Sequence, residues 1–311
     1  MTVYFEPIFQ RLVQTAYRND AEDGGVNLSL AAFTALGSLC ENSCVDSHPV
    51  LYSMLIPILQ ALETAINSTE LDAHKSVDYQ DYLCGILQVI LVKVGHKVTT
   101  EEAPKIVALL IMIFQKRNKV TENGLIAFSG LCNGIGERVD ISSFGNYIIH
   151  ALNDEDEECV RLACGIISDI ANALGVRIYE YLSDFVPPII KILKLQKYNR
   201  DTKLQAVITI GDLAMNAQEG FVPYLQETLA MLISACQLSL SVVDEVISFY
   251  IQDEDAELAE YLQELKHTLI ETFTSIVHGM TKSKDKTILI RETEKIVEYL
   301  QALITGQHVP S

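Results

Sequence analysis

Apolar residues along this chain recur at intervals of three and four, interrupted by short polar turns. No stretch alternates apolar and polar residues strictly enough to make a half-buried strand. The pattern predicts helices in pairs. The first of each pair fall at about 3–18, 49–67, 103–117, 142–153, 179–195 and 222–237, and the second at about 27–42, 78–95, 122–136, 156–174, 201–217 and 256–281. A last helix, 286–304, has no partner. Pro104 and Pro223 occupy the first turn of a helix, where a missing N–H costs little. Pro57 and Pro187-Pro188 lie inside helices and are expected to bend them. The connection LSLSVVDEVISFYIQDE (238–254) is longer than the others. It is expected either to serve a function or to carry a short helix of its own over SVVDEVISFYIQ.

The second helices repeat one motif. Ala32, Ala127, Ala163 and Ala206 superpose, followed four residues later by Leu36, Leu131, Ile167 and Ile210. Small residues come next (Gly37, Cys132, Ser168, Gly211), then polar Ser38, Asn133, Asp169 and Asp212. The steps from Ala127 to Ala163 and on to Ala206 are 36 and 43 residues, near the period of two-helix solenoids of the HEAT and armadillo type. A small side chain lets a neighbouring helix approach, and the flanking Leu and Ile fill the gap. One pair cannot cover its own apolar faces, so pairs must stack. The expected fold is all-α: a right-handed superhelical HEAT-repeat solenoid of about six helix pairs plus an unpaired terminal helix, one array over residues 1–311.

Composition narrows the partners. The formal net charge is -18, which opposes binding to a nucleic-acid backbone and favours encounter with a basic partner. Seven cysteines, an odd number, lie mostly inside apolar helical runs and fit a reducing intracellular compartment. The apolar run IVALLIMIF (106–114) stops at Gln115-Lys116-Arg117, short of a membrane span, so no membrane partner is expected. No secretory signal is visible in MTVYFEPIFQRL. The acids of DEDEECVRLAC (154–164) stand where the positive end of a helix dipole favours them.

The segments LQAVITIGDLAMNAQEGFVPYLQETLAMLISACQ (204–237), EYLQELKHTLIETFTSIVHGM (260–280) and YLCGILQVILVKVG (82–95) resemble the later HEAT repeats of importin beta, the nuclear import karyopherin. The resemblance runs with gaps over residues 3 to 304. It implies outer first helices and second helices lining a concave face. In the family that face holds the basic importin-beta-binding segment of the importin alpha adaptor, or cargo proteins directly. Nucleoporin phenylalanine-glycine (FG) repeats insert between outer helices, and the Ran GTPase releases cargo. The implied location is the cytoplasm, the nucleus and the nuclear pore.

Three departures limit the transfer. The chain starts in a helix and ends on an unpaired one without a capping repeat, as a middle-to-late portion of a longer karyopherin would; the repeats with the main Ran contact have no counterpart. The family's acidic loop is not visible. Trp is absent, although tryptophans help the family grip the adaptor, so adaptor binding is expected to be weak.

Asp169 and Asp212 have two readings: contact with a basic partner, or rungs of a hydrogen-bond ladder between neighbouring repeats. Glu257, Glu260, Glu264 and Glu271 share a helix face opposite the apolar stripe of Leu258, Leu262, Leu265, Leu269, Ile276 and Met280. That face is either a partner surface or merely solvated. Phe144, Tyr147, Phe185 and Tyr224 either border slots for FG repeats or pack one repeat on the next. No catalytic, cofactor or metal site is expected. GLCNGIG (130–136) lacks a preceding strand and the third phosphate-loop glycine, and Ser47 and Pro49 interrupt the Cys40, Cys44, His48 spacing. His150, His267 and His278 stand apart from any recognisable nucleophile and acid. A HEAT scaffold of another class, such as a phosphatase scaffold, and a hydrolase remain as alternatives.

Overall fold

A computed structural model describes residues 2–16, 24–68, 73–117, 121–248, 253–282 and 287–305. Among them the regular structure is helical, with no strand. The contacts divide the chain into two units, Met1–Ile148 and Ile149–Ser311.

The first unit contains α1 (Thr2–Ala16), α2 (Gly24–Glu41), α3 (His48–Ser53), α4 (Leu55–Asn67), α5 (Ala73–Val94), α6 (Ala103–Arg117), α7 (Glu122–Ile135) and the start of α8 (Gly145–Leu152). α1 packs on α2, α4 on α5 and α6 on α7, and the second helices α2, α5 and α7 pack side by side. The second unit repeats the scheme with α9 (Glu157–Leu174), α10 (Leu182–Lys194), α11 (Arg200–Ala217), α12 (Val222–Ser248), α13 (Asp253–Thr281) and α14 (Thr287–Thr305). Here α10 pairs with α11 and α12 with α13, while α9, α11 and α13 lie side by side and α14 packs on α12 and α13.

The repeated motif does what its side chains require. All four alanines and the Leu and Ile that follow them are buried. The polar residues two positions beyond the Leu and Ile come to the surface: Ser38 and Asn133 are exposed, Asp169 and Asp212 half-buried. Small residues permit contact between backbones. A Cβ on Gly134 of α7 would collide with the Leu91 carbonyl of α5, and one on Gly279 of α13 with the Ala214 carbonyl of α11.

Helix ends follow local chemistry. Thr121, Asp156 and Asn199 cap α7, α9 and α11, accepting from the N–H of Gly124, Glu158 and Thr202 at 3.3, 3.1 and 2.8 Å. The acids of 154–164 supply the Asp156 cap and place Glu157 and Glu158 in the first turn, as expected. Gly136, Gly175 and Gln218 end α7, α9 and α11 with φ of +56°, +55° and +53°.

Several boundaries differ from the sequence reading. The predicted helix 49–67 is broken at Met54, with a bend of 42° between its halves. Pro57 explains the place, since it deprives the Ser53 carbonyl of its i+4 donor and crowds it. α10 instead runs through Pro187 and Pro188, and a 3-10 turn, Gly175–Tyr181, replaces its expected first residues. The long connection is shorter than expected because α12 continues to Ser248; Leu225 to Ser248 contains neither Gly nor Pro to stop it. The remainder of the supposed extra helix, 249–252, lies outside the described residues. The most apolar stretch is also longer than the sequence reading allowed. Glu157–Lys194 is long and apolar enough to cross a membrane by length and composition alone, yet the 3-10 turn divides it and more than half of its most apolar part is buried inside the protein.

Candidate protein-binding site

Three second helices of the second unit bring carboxylates together. On α9 Asp169 is one residue from Ser168, whose hydroxyl hydrogen-bonds both Thr209 Oγ1 of α11, at 3.2 Å, and the carboxylate of Asp212, one turn further along α11. Thr209 in turn is held by the carbonyls of Cys164 and Gln205, at 2.9 and 2.8 Å. Asn216 Nδ2 donates to Asn172 Oδ1 at 3.0 Å, one turn on. The ladder between neighbouring repeats therefore exists, and Asp212 belongs to it.

Burial pushes the Asp212 carboxyl above its ordinary pKa; the Ser168 hydrogen bond opposes this, and the negative charge of Asp169 adds to it. On its other side Asp212 lines an open groove of about 330 Å³ between α11 and α13, together with Ile208, Ile270 and Glu271. A row of acids thus crosses three helices, Asp169 to Asp212 to Glu271.

The α13 face forms as its spacing requires. Glu260, Glu264 and Glu271 are exposed, while Leu262, Leu265, Leu269, Ile276 and Met280 are buried on the opposite side. Leu258 is half-buried, and the side chain of Glu257 lies outside the described residues. His267 stands in the same face, its Nε2 3.1 Å from Glu271 Oε1. Across the top of the face the Arg200 guanidinium lies 5.0 Å from the Tyr261 ring centre.

The four candidate aromatics divide. Phe144 and Phe185 are buried, 0% and 1% exposed, so neither ring can receive a ligand. Phe144 stacks on Phe128 at 3.7 Å and meets Phe114 and Tyr147, because it precedes α8 in the turn 142–144 and points into the first unit. Phe185 lies in α10 beside Tyr181. Tyr147 and Tyr224 remain half-exposed.

The open apolar slots lie elsewhere, and sequence reading missed them. One, of about 580 Å³, separates the outer helices α4 and α6 and is lined by Ile56, Leu59, Leu109 and Met112, with Glu63, Glu101 and Lys105 at its polar margin. A second, of about 280 Å³, lies across α6 among Pro104, Val107, Ile111, Leu131 and Val139. The signal available beforehand was Ile56, apolar on a helix whose buried face is already complete with Leu55, Ile58 and Leu62. The metal spacing at Cys40, Cys44 and His48 is not carried on one helix, since α2 ends at Glu41 and Cys44 is extended.

Residues 1–310 match the family described as importin subunit beta-1-like, TPR repeats. The chain belongs to the importin subunit beta-1-like family. Importin subunit beta-1 of Arabidopsis thaliana is 25% identical over 314 residues, covering 97% of this chain and 35% of that protein. Among solved structures, importin beta crystallised in ammonium sulfate superposes with a TM-score of 0.84 at 20% identity, covering 99% of this chain and 35% of its own. The Kap95:Nup1 complex gives 0.75 at 20% identity, covering 96% and 34%. This chain therefore spans about a third of the importin beta relatives it matches. The HEAT-repeat fold read from the second helices is the fold of these importin beta neighbours.

Proposed function

We propose that this chain is a portion of a nuclear transport receptor whose α9–α11–α13 face holds a Lys/Arg-rich segment, that of an importin alpha adaptor or of a cargo. The observation carrying the proposal is the row Asp169, Asp212 and Glu271, which three separate repeats contribute to one surface. A single exposed ion pair contributes only about 0–1 kcal/mol, so affinity has to come from many such pairs along an extended partner. A chain of net charge -18 adds a long-range field that speeds encounter with a polycation. The apolar slots between α4 and α6 and across α6 suit phenylalanine side chains of nucleoporin repeats. The likeness to Kap95, solved with Nup1, supports that second role. Receptors of this kind work by binding and release and catalyse nothing.

Calorimetry of a Lys/Arg-rich peptide against the protein tests the first role. Binding should be measurable at low salt, should fall steeply as the screening length shrinks below about 10 Å above 0.1 M salt, and should be lost in the double variant Asp212→Lys, Glu271→Lys. Absence of binding at low salt overturns it. Capture of a phenylalanine-glycine peptide, lost in Met112→Asp, tests the second role separately.

A further inference from the structure

The hairpin between α10 and α11 gathers cations in a chain dominated by acids. Lys191, Lys194, Lys197, Arg200 and Lys203 follow one another at every third residue, with Asp201 the one acid among them. The whole chain holds 23 Lys and Arg against 41 Asp and Glu, so this stretch reverses the prevailing sign. Residues three apart are neighbours on a helix surface, and like charges there repel. Lys191 and Lys194 are compensated by the negative end of the α10 dipole. Arg200 and Lys203 have no such compensation, since they open α11 at the positive end of its dipole. The helices α7 and α9 place acids at that position, Glu122 in one and Glu157 and Glu158 in the other.

The fold leaves most of this charge turned outward. Among the described residues one of the five cations is in an ion pair: Lys194 Nζ lies 2.5 Å from Glu227 Oε1 of α12. Lys197 Nζ sits 4.5 Å from the centre of the buried Tyr198 ring, and the Arg200 guanidinium 5.0 Å from that of Tyr261 on α13. Glu157 of α9 reaches the turn, where it accepts the Asn199 N–H at 3.3 Å. A guanidinium held over a ring by its face keeps its edge N–H donors for a carboxylate. Lys191, Lys194, Lys197 and Arg200 are exposed and Lys203 is half-buried.

We propose that this hairpin docks an extended acidic segment of another protein, whose Asp and Glu side chains meet Lys197, Arg200 and Lys203. Charge complementarity selects that partner over other anions. Such a segment can place its carboxylates at the cations alone. The continuous phosphate row of a nucleic acid would also press on Asp201 and Glu227, and a net charge of -18 repels a polyanion at long range. The same charge on both partners opposes a second copy of this chain. The surface is separate from the acidic face of α9, α11 and α13 and does not depend on what that face binds.

The probe is a short fluorescent peptide of repeated Glu-Glu-Gly, titrated by anisotropy against the whole protein at low salt. Saturable binding is expected, weakened about tenfold or more by the double variant Lys197→Glu, Arg200→Glu. The milder pair Lys191→Gln, Lys197→Gln should weaken it by a smaller factor. These side chains are exposed, so circular dichroism and thermal unfolding of both variants should match the parent. Removing as much charge elsewhere, in Lys97→Gln, Lys282→Gln, should leave binding unchanged. An equal loss there means that net charge alone acts and overturns the proposal. Absence of saturable binding, or equal binding by Lys197→Glu, Arg200→Glu, also overturns it. An oligothymidylate that binds the hairpin as tightly and displaces the peptide assigns the surface to nucleic acid and overturns it too. So does sedimentation showing self-association that Lys191→Gln, Lys197→Gln dissolves, which assigns the surface to a second copy.

Discussion

Gln218 ends α11 in the same positive-φ backbone conformation that Gly175 adopts at the end of α9, 43 residues earlier: φ and ψ are +53° and -121° in one and +55° and -131° in the other. Each closes its helix through its own N–H, to Ala214 O and to Ala171 O. Glycine holds this conformation without a Cβ to clash, whereas a residue with a Cβ in so sparsely populated a region is strained by about 1–2 kcal/mol. Gln218→Gly should therefore stabilise the protein, by about 0.5–1 kcal/mol once the greater freedom of glycine in the unfolded chain is subtracted. Gly175→Ala should cost about 1–2 kcal/mol. Urea midpoints measure both, and a Gln218→Gly variant no more stable than the parent would refute the strain.

Asp212 links stability to function with opposite signs. Its pKa is raised in the fold, chiefly by burial, above the ordinary 3.8. The folded state then binds the proton more tightly than the unfolded state. The associated stability is fully present below pH 3.8 and is lost as pH rises through the raised folded value. Asp212→Asn, which keeps an acceptor for Ser168, should accordingly be more stable than the parent at neutral pH, with the gap closing below pH 3.8. The same variant should bind a basic peptide up to about fivefold more weakly, as expected for loss of one partly exposed ion pair worth about 1 kcal/mol. Denaturant unfolding across pH, paired with calorimetry at neutral pH, separates the two effects.

The face of α9 and α11 was legible because packing writes it into the sequence. Ala163 and Ala206 with Ile167 and Ile210 must be buried, and helical geometry then turns Asp169 and Asp212 toward the surface two residues later. The hydrogen-bond ladder was open in sequence because Ser168 and Thr209 acquire partners only when two helices meet. Of the two readings open for Phe144, packing is the one the structure gives, because Phe144 precedes α8 and turns inward onto Phe128. The slot between α4 and α6 escaped because Leu59 and Met112 are about fifty residues apart and periodicity within one helix says nothing of which outer helices adjoin.

The start of α6 carries an acid-sensitive lock. Glu102 accepts from the Thr99 N–H at 2.8 Å and from its hydroxyl at 2.9 Å, and the Tyr52 hydroxyl of α3 donates to it at 3.1 Å. These bonds, the Thr99 N–H foremost, hold the carboxyl below its ordinary pKa of 4.5. Its contribution is present above pH 4.5 and disappears as pH falls through the depressed folded value. Glu102→Ala should cost about 1 kcal/mol at neutral pH, a typical loss for a helix-capping group. The difference should shrink on acidification. A cost that is the same at neutral pH and at pH 3 would rule out the ionised carboxylate as the holding group.

Ser168 has one hydroxyl proton and two acceptors across the α9–α11 contact, Thr209 Oγ1 and the Asp212 carboxylate. Thr209→Val removes the first acceptor and leaves shape nearly unchanged. It also removes the donor to the buried Cys164 carbonyl, at 2.9 Å, so stability should fall by about 1–2 kcal/mol. The Ser168 proton is then committed to Asp212, which strengthens the bond that favours the ionised form. The Asp212 pKa should consequently move down in Thr209→Val although no charge has been altered, while in Ser168→Ala it should move further up. Carboxyl-carbon NMR titrations of the two variants read those shifts directly. Two variants moving Asp212 in the same direction would mean that the hydroxyl is not shared, and that Thr209 supports the α9–α11 contact only through its own two carbonyl bonds.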